Sequence, residues 1–398
     1  MRVRPIAGSL LTLAFAAPLL AGCSAADDTS PEPAEESAAA PGGEGEREAA
    51  DEVEPEDSPA PAAGEVEVVE TLTEGLDSPW GLAQLPDGEV LVGSRDAGTL
   101  TVIPTSGAEA GERTELGAVP GVSANGEGGL LGLAVDPEFE TNGRVYAYAT
   151  TASDNRIIPL ELDPAAPEGQ RLTAGDPLLD GIPRGQVIHN GGGLAFGPDG
   201  MLYATTGDAA EPALAQDADS LAGKILRIDP ATGQAPEDNP DPDSLVYSSG
   251  HRNVQGLAWD AEDRLWAAEF GDDSWDELNL IEPGGNYGWP EHEGEGGADD
   301  GFRDPVAVWP PSEASPSGLA YSQGSLWLAT LRGERLWRAP LDGTELVAEP
   351  EAFLTGDYGR LRGALAVGED ELLVVSNETD GRGTPEAGDD RLLRLRVR

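Results

Sequence analysis

The chain is poor in thiols and in positive charge. Cys23 is the only cysteine among 398 residues, so no disulfide can staple the fold. Lys224 is the only lysine, and there are three histidines, His189, His251 and His292. Lysine and arginine together number 24 against 74 aspartates and glutamates, a formal net charge of −50. A surface of that sign repels phosphate backbones, which excludes nucleic acid as a partner. The acidity also suits solubility at high salt. The one long apolar run, Ile6 to Leu20, is too short for a confident membrane span. Helical periodicity is missing throughout.

Short apolar runs separated by turns are present instead. A Gly-Leu-Ala phrase occurs five times, beginning at Gly81, Gly132, Gly193, Gly256 and Gly318, and loosely a sixth time at Gly363. The starts lie roughly 45 to 63 residues apart, the period of a propeller blade. Turn residues follow, as in Pro86-Asp87-Gly88 and Pro198-Asp199-Gly200, and then a second apolar run such as Met201 to Thr205. The pattern predicts an all-β, six-bladed β-propeller. Glu65 to Glu70 alternates and precedes the first blade; it is expected to supply an outer strand to the last blade and close the ring.

Residues 1–22 read as a signal peptide, with Arg2 and Arg4 before the apolar run. Leu20-Ala21-Gly22-Cys23 resembles a bacterial lipobox, which implies lipidation of Cys23 and a membrane-anchored, extracytoplasmic protein. Residues 23–64, rich in Ala, Pro and Glu, read as a disordered acidic tether. Residues 65–398 form the propeller, which keeps a net charge of about −40.

In a propeller the loop entering each inner strand and the loop between the second and third strands open on one face. There the repeats diverge. The loops entering the inner strands carry Glu127, His189, the pair Arg252-Asn253, and Arg360 with Arg362; a middle loop carries Arg332. Four arginines at one mouth of so acidic a protein point to an anionic ligand, which the planar guanidinium binds bidentately. His189 is the candidate general base, preceding three glycines that permit close approach. His292 sits in an acidic, Gly-rich stretch, and His251 is equally a packed residue. Gly126-Glu127-Gly128-Gly129 has no βαβ unit around it and gives no nicotinamide site.

The motifs Gly250-His251-Arg252-Asn253, Asp276 to Ile281, Gly285 to Pro290 and Leu221 to Arg227 resemble the quinoprotein sugar dehydrogenases that use pyrroloquinoline quinone (PQQ). The resemblance runs from Leu76 to the C-terminus. It implies oxidation of an aldose at its anomeric hydroxyl by hydride transfer to PQQ, with His189 as base. Arg252 and Asn253 then contact the quinone, and Arg332, Arg360 and Arg362 meet its carboxylates. A Ca2+ ion is implied on the Gly271 and Asp272 carbonyls, and a second on Glu277 and the Tyr287 carbonyl. Electrons would pass to an acceptor in the cell envelope. Glu127 replaces a glutamine beside the substrate, and Phe270 and Asp272 replace His and Pro. A metal-dependent lactonase and a non-catalytic sugar- or partner-binding propeller are the alternatives.

Overall fold

The computed structural model describes residues 59–398, apart from Pro164 and Glu168. Cys23, the leader and most of the tether lie outside the described residues. Six antiparallel sheets follow one another along the chain. Blade 1 comprises Pro79–Gln84, Val90–Ser94, Thr99–Ile103 and Thr114–Ala118. Blade 2 begins at Leu130–Val135, blade 3 at Leu194–Phe196, blade 4 at Val254–Trp259, blade 5 at Pro316–Ser322 and blade 6 at Leu361–Ala366. The sole α-helical segment among the described residues is the single turn Phe139–Asn142.

The Gly-Leu-Ala repeat has a direct structural cause. A Cβ on Gly81 would strike Leu131 and Leu133 of blade 2; on Gly132 it would strike Gly192 and Leu194 of blade 3. Gly193 faces the Gln255 carbonyl, Gly256 faces Ser317, Gly318 faces Gly363, and Gly363 faces Leu82 of blade 1. Each glycine is therefore the point where one inner strand touches the next around the ring. Larger residues would force the blades apart.

No single core exists. Six apolar clusters each join two neighbouring blades, from Leu91 with Leu133 between blades 1 and 2 to Val92 with Val375 between blades 1 and 6. The middle strands are packed on both faces, which explains why Ser325–Thr330 is buried throughout rather than alternating. Val66–Thr73 pairs antiparallel with Leu392–Val397 as the outer strand of blade 6. This is the closure that the alternating Glu65 to Glu70 segment predicts.

The chain docks slightly earlier than composition suggests. Residues 59–64, read from the sequence as the end of the tether, run along blade 5. The Ala60 amide donates to the Leu341 carbonyl at 2.9 Å. Fully buried Arg338 donates to the Pro61 carbonyl at 2.7 Å and pairs with Glu351 at 2.9 Å.

Candidate active site

His189 ends the loop that leads into blade 3. Its backbone is left-handed, with φ of 62°. Bare backbone surrounds it: a Cβ on Gly207 would meet the His189 carbonyl, and one on Gly191 would meet Thr205 and Thr206. The imidazole Nδ1–H donates to Asp208 Oδ1 at 2.7 Å. Asp208 is fully buried; its Oδ2 accepts from Trp289 Nε1 at 2.9 Å and its Oδ1 also accepts from the Ala210 amide at 2.7 Å. An acceptor on Nδ1 fixes the tautomer and leaves the lone pair on Nε2. Among the described residues no hydrogen bond reaches Nε2.

Glu127, from the loop entering blade 2, accepts from the His189 amide at 2.8 Å and pairs with Arg382 of blade 6 at 2.9 Å. Asn253 accepts from the Gly191 amide at 2.9 Å through Oδ1. Arg252 lies 5.3 Å from the Trp289 ring centroid, and its Nη2 donates to Asp272 at 2.7 Å. Its carbonyl accepts from the Asp208 amide at 2.8 Å. Base, acid and cationic stack are thus one connected unit drawn from blades 2, 3 and 4.

Arg360 and Arg362 meet at Asp380, 2.9 and 3.5 Å from its Oδ2. Arg362 also donates to Gln255 at 2.8 Å and to Ser317 at 3.1 Å, and stands 5.7 Å from the Trp80 ring centroid. The Trp80 ring therefore faces a guanidinium. Burial pulls the Arg362 guanidinium down to about 9. Burial alone would raise Asp380, but Arg362 and Arg360 outweigh it and hold its carboxyl below the usual range. Arg332 is exposed and forms no ion pair among the described residues. Asp380 Oδ1 accepts from the Arg382 amide at 2.8 Å. Two hydrogen bonds and one ion pair therefore link His189 through Glu127 and Arg382 to Asp380, where Arg360 and Arg362 meet. Arg362, with Trp80 and Gln255, also lines a narrow channel of about 90 Å³ between the six inner strands.

The array is short of acceptors. Nε of Arg252, Arg360 and Arg362 is buried without a partner, as are both polar atoms of the Asn377 side chain. Each orphaned donor costs about 1–3 kcal/mol. The surplus of guanidinium donors suits an anionic ligand that brings acceptors to this mouth.

A second set of residues suits a cation. The loop at Gly271 and Asp272 is fixed from two sides. Asp276 accepts from the Gly271 amide at 2.9 Å and from the Ser315 amide at 2.6 Å, and Glu293 accepts from the amides of Asp272, Ser274 and Trp275. Burial pushes the Asp276 carboxyl up to about 6. Deeper, burial and then the adjacent Glu269 charge push the Glu277 carboxyl up to about 8. Asn279 Oδ1 nearby is a buried acceptor without a donor. Oxygen groups are what a hard cation such as calcium takes, but among the described residues no three acidic or histidine side chains converge as a ready-made cation cluster. Tyr287 lies close by, stacked on His251 with centroids 4.7 Å apart.

Sequence reasoning gave no role to three members of the site, Trp289, Asp380 and Arg382. Asp208 stands in a middle loop on the mouth and is a candidate carboxylate ligand for the lactonase alternative, but nothing in the sequence pairs it with His189. Trp289 lies in the Gly285 to Pro290 motif without its own signal of a role. Asp380 and Arg382 lie in the long mouth loop of blade 6, a segment with no repeat counterpart.

The described residues thus form a six-bladed propeller whose mouth holds a histidine-aspartate dyad and convergent arginines. The chain belongs to the Glucose / Sorbosone dehydrogenase family, whose model matches residues 76–393. It is similar to the aldose sugar dehydrogenase YliI of Escherichia coli, 29% identical over 351 residues, covering 81% of this chain and 92% of that protein. It is 31% identical to quinoprotein glucose dehydrogenase B of Acinetobacter calcoaceticus over 250 residues, 55% of this chain and 51% of that protein. Among solved structures, the PQQ-bound aldose sugar dehydrogenase of Streptomyces coelicolor superposes with a TM-score of 0.83 at 57% identity, covering 85% of this chain and all of that one.

Proposed function

We propose that this chain oxidises an aldose, or a related polyol, at its anomeric hydroxyl, using PQQ and Ca2+. The observation that carries the reading is the His189–Asp208 pair at 2.7 Å, with Nε2 left open on a face of unpaired guanidinium donors. His189 Nε2 takes the hydroxyl proton, and Asp208 steadies the imidazolium that results. PQQ, when bound, would supply the hydride acceptor: the anomeric C–H bond would give up the hydride as His189 takes the O–H proton and the C=O bond forms. Arg252, Asn253, Arg332, Arg360 and Arg362 hold the cofactor by charge and hydrogen bonds. The Gly271 and Asp272 carbonyls hold one calcium, and Glu277 with the Tyr287 carbonyl a second. Cys23 anchors the protein to the outer side of the cell membrane, where electrons pass to an envelope acceptor.

The deciding experiment uses the full chain reconstituted with PQQ and Ca2+. Dye reduction is followed across a panel of sugars. Quinone-dependent turnover of aldoses supports the reading. Failure of the quinone to bind at any calcium concentration overturns it in favour of a non-catalytic propeller. Lactone hydrolysis without quinone overturns it in favour of a hydrolase.

A further inference from the structure

The mouth loop of blade 6 reaches across blade 1 to blade 2 at one place. There Arg382 Nη2 meets Glu127 Oε1 at 2.9 Å. The other oxygen of Glu127 accepts from the His189 amide at 2.8 Å. The two loops are further zipped by Glu127 N to the Val187 carbonyl at 2.7 Å and Asn125 Nδ2 to the Gln186 carbonyl at 2.6 Å. This matters because His189 holds a left-handed backbone, φ 62°, that a residue with a side chain adopts only under restraint. Its ring is restrained by Asp208 and its carbonyl by the Ala209 amide at 3.2 Å. Its amide is restrained by Glu127 alone, and Glu127 is in turn held by Arg382.

We propose that Arg382 is a positioning residue for His189, acting through Glu127. It keeps the glutamate on the His189 amide and neutralises a negative charge beside the base. The charged groups that face His189 are Asp208 of blade 3, Glu127 of blade 2 and, beyond it, Arg382. Arg252 with Asp272 of blade 4 stands behind Trp289. Among the described residues the Glu127–Arg382 pair is the direct ion pair from this cluster to blade 6, and Arg362 of the same blade feels the Glu127 charge from further off.

The inference rests on His189 being the base, but its main readout needs no turnover. The full chain has three histidines, so ring resonances can be assigned and titrated by NMR without cofactor. Arg382→Ala removes the ion-pair partner of Glu127 and leaves only Arg362, which forms no ion pair with it, to offset the charge, so the His189 titration rises. Arg382 is half exposed, at 51%, so solvent screens the pair and the rise is small. Arg382→Lys keeps the charge and restores most of it. In Glu127→Gln/Arg382→Ala the rise disappears. In turnover, Arg382→Ala lowers kcat about two- to fivefold, and KM for sugar changes less. A His189 titration unmoved by Arg382→Ala, or a rise that survives in the double variant, overturns the proposal. A wild-type protein that oxidises no sugar defeats the proposed function and leaves the titration to judge Arg382 on its own.

Discussion

Two histidines at the mouth bind carboxylates through Nδ1 in nearly the same way, His189 to Asp208 at 2.7 Å and His251 to Glu269 at 2.8 Å. They part at the other ring nitrogen. Nε2 of His251 lies 2.8 Å from Ser248 Oγ, and its ring is fully buried against Tyr287. Nε2 of His189 has no partner among the described residues, and the side chain retains 10% exposure. A histidine-carboxylate pair is therefore not in itself a catalytic signature. What separates a base from a tie is whether the second nitrogen is already spent. His251 also sits in a different circuit: Glu269 accepts from the Arg252 amide, so this dyad fixes the backbone of the cationic loop rather than touching a ligand.

Substituting the two histidines gives the sharpest contrast. His189→Ala should cost about 10²–10⁴-fold in kcat, the usual worth of a positioned base, with a smaller loss of stability than His251→Ala, since Trp289 and the Ala210 amide still donate to buried Asp208 and no stacked ring is lost. His251→Ala should do the reverse. It leaves Glu269 buried without its ring partner and removes a stacked ring, a loss of about 3 kcal/mol in stability read by denaturant unfolding. Matching behaviour of the two variants, in either measurement, would erase the distinction.

Asp208→Asn tests the same contrast one bond further out. The amide can offer Nδ1 either a donor or an acceptor, so the tautomer is no longer fixed. We expect a fall in kcat of about a hundredfold with KM nearly constant, measured by dye reduction. An unchanged kcat would mean that Asp208 packs the ring without orienting it.

The acid behind His251 predicts a metal effect. Glu277 beside Glu269 has its pKa raised to about 8 in the fold. A carboxyl raised on folding contributes stability that is full below its unfolded value and lost as pH climbs through the folded one. The calcium-free protein should therefore lose a few degrees of thermal midpoint between about pH 5 and 8. Calcium should flatten that slope by compensating the charge, and Glu277→Gln should abolish the calcium response and the part of the slope above about pH 6, leaving the share of Asp276, whose carboxyl is raised to about 6. A midpoint indifferent to chelator at pH 8 would remove the cation from this site.

The ring was legible because its geometry is written in single residues. Gly81, Gly132, Gly193, Gly256, Gly318 and Gly363 each mark a contact between neighbouring blades, and nothing larger fits. The face of the mouth was legible too, since Glu127, His189 and Arg252 interrupt an otherwise repeating frame. Their partners were not. With 74 acidic residues, an aspartate such as Asp208 or Asp380 carries almost no information until the fold selects it. The docking of residues 59–64 was hidden for another reason: Arg338 binds the carbonyl of Pro61, an acceptor that any residue supplies. Composition reads such a segment as solvated because the contact owes nothing to its side chains.

The smallest effect probes the dyad most finely. Trp289 donates to Asp208 Oδ2 at 2.9 Å and also faces the Arg252 guanidinium. Trp289→Phe keeps an aromatic face for the arginine and deletes only the N–H. Asp208 then loses a donor and becomes a stronger acceptor for Nδ1–H, so the His189 imidazolium is favoured and the basic form appears at higher pH. The rising limb of kcat/KM should move to higher pH by a few tenths of a unit, and kcat at the plateau should change by about fivefold or less. His251 has no indole on its carboxylate, so its ring resonance should not shift. If the limb stays still while Arg252-dependent quinone binding weakens, Trp289 serves the cationic stack alone, and the dyad is tuned by Asp208 without it.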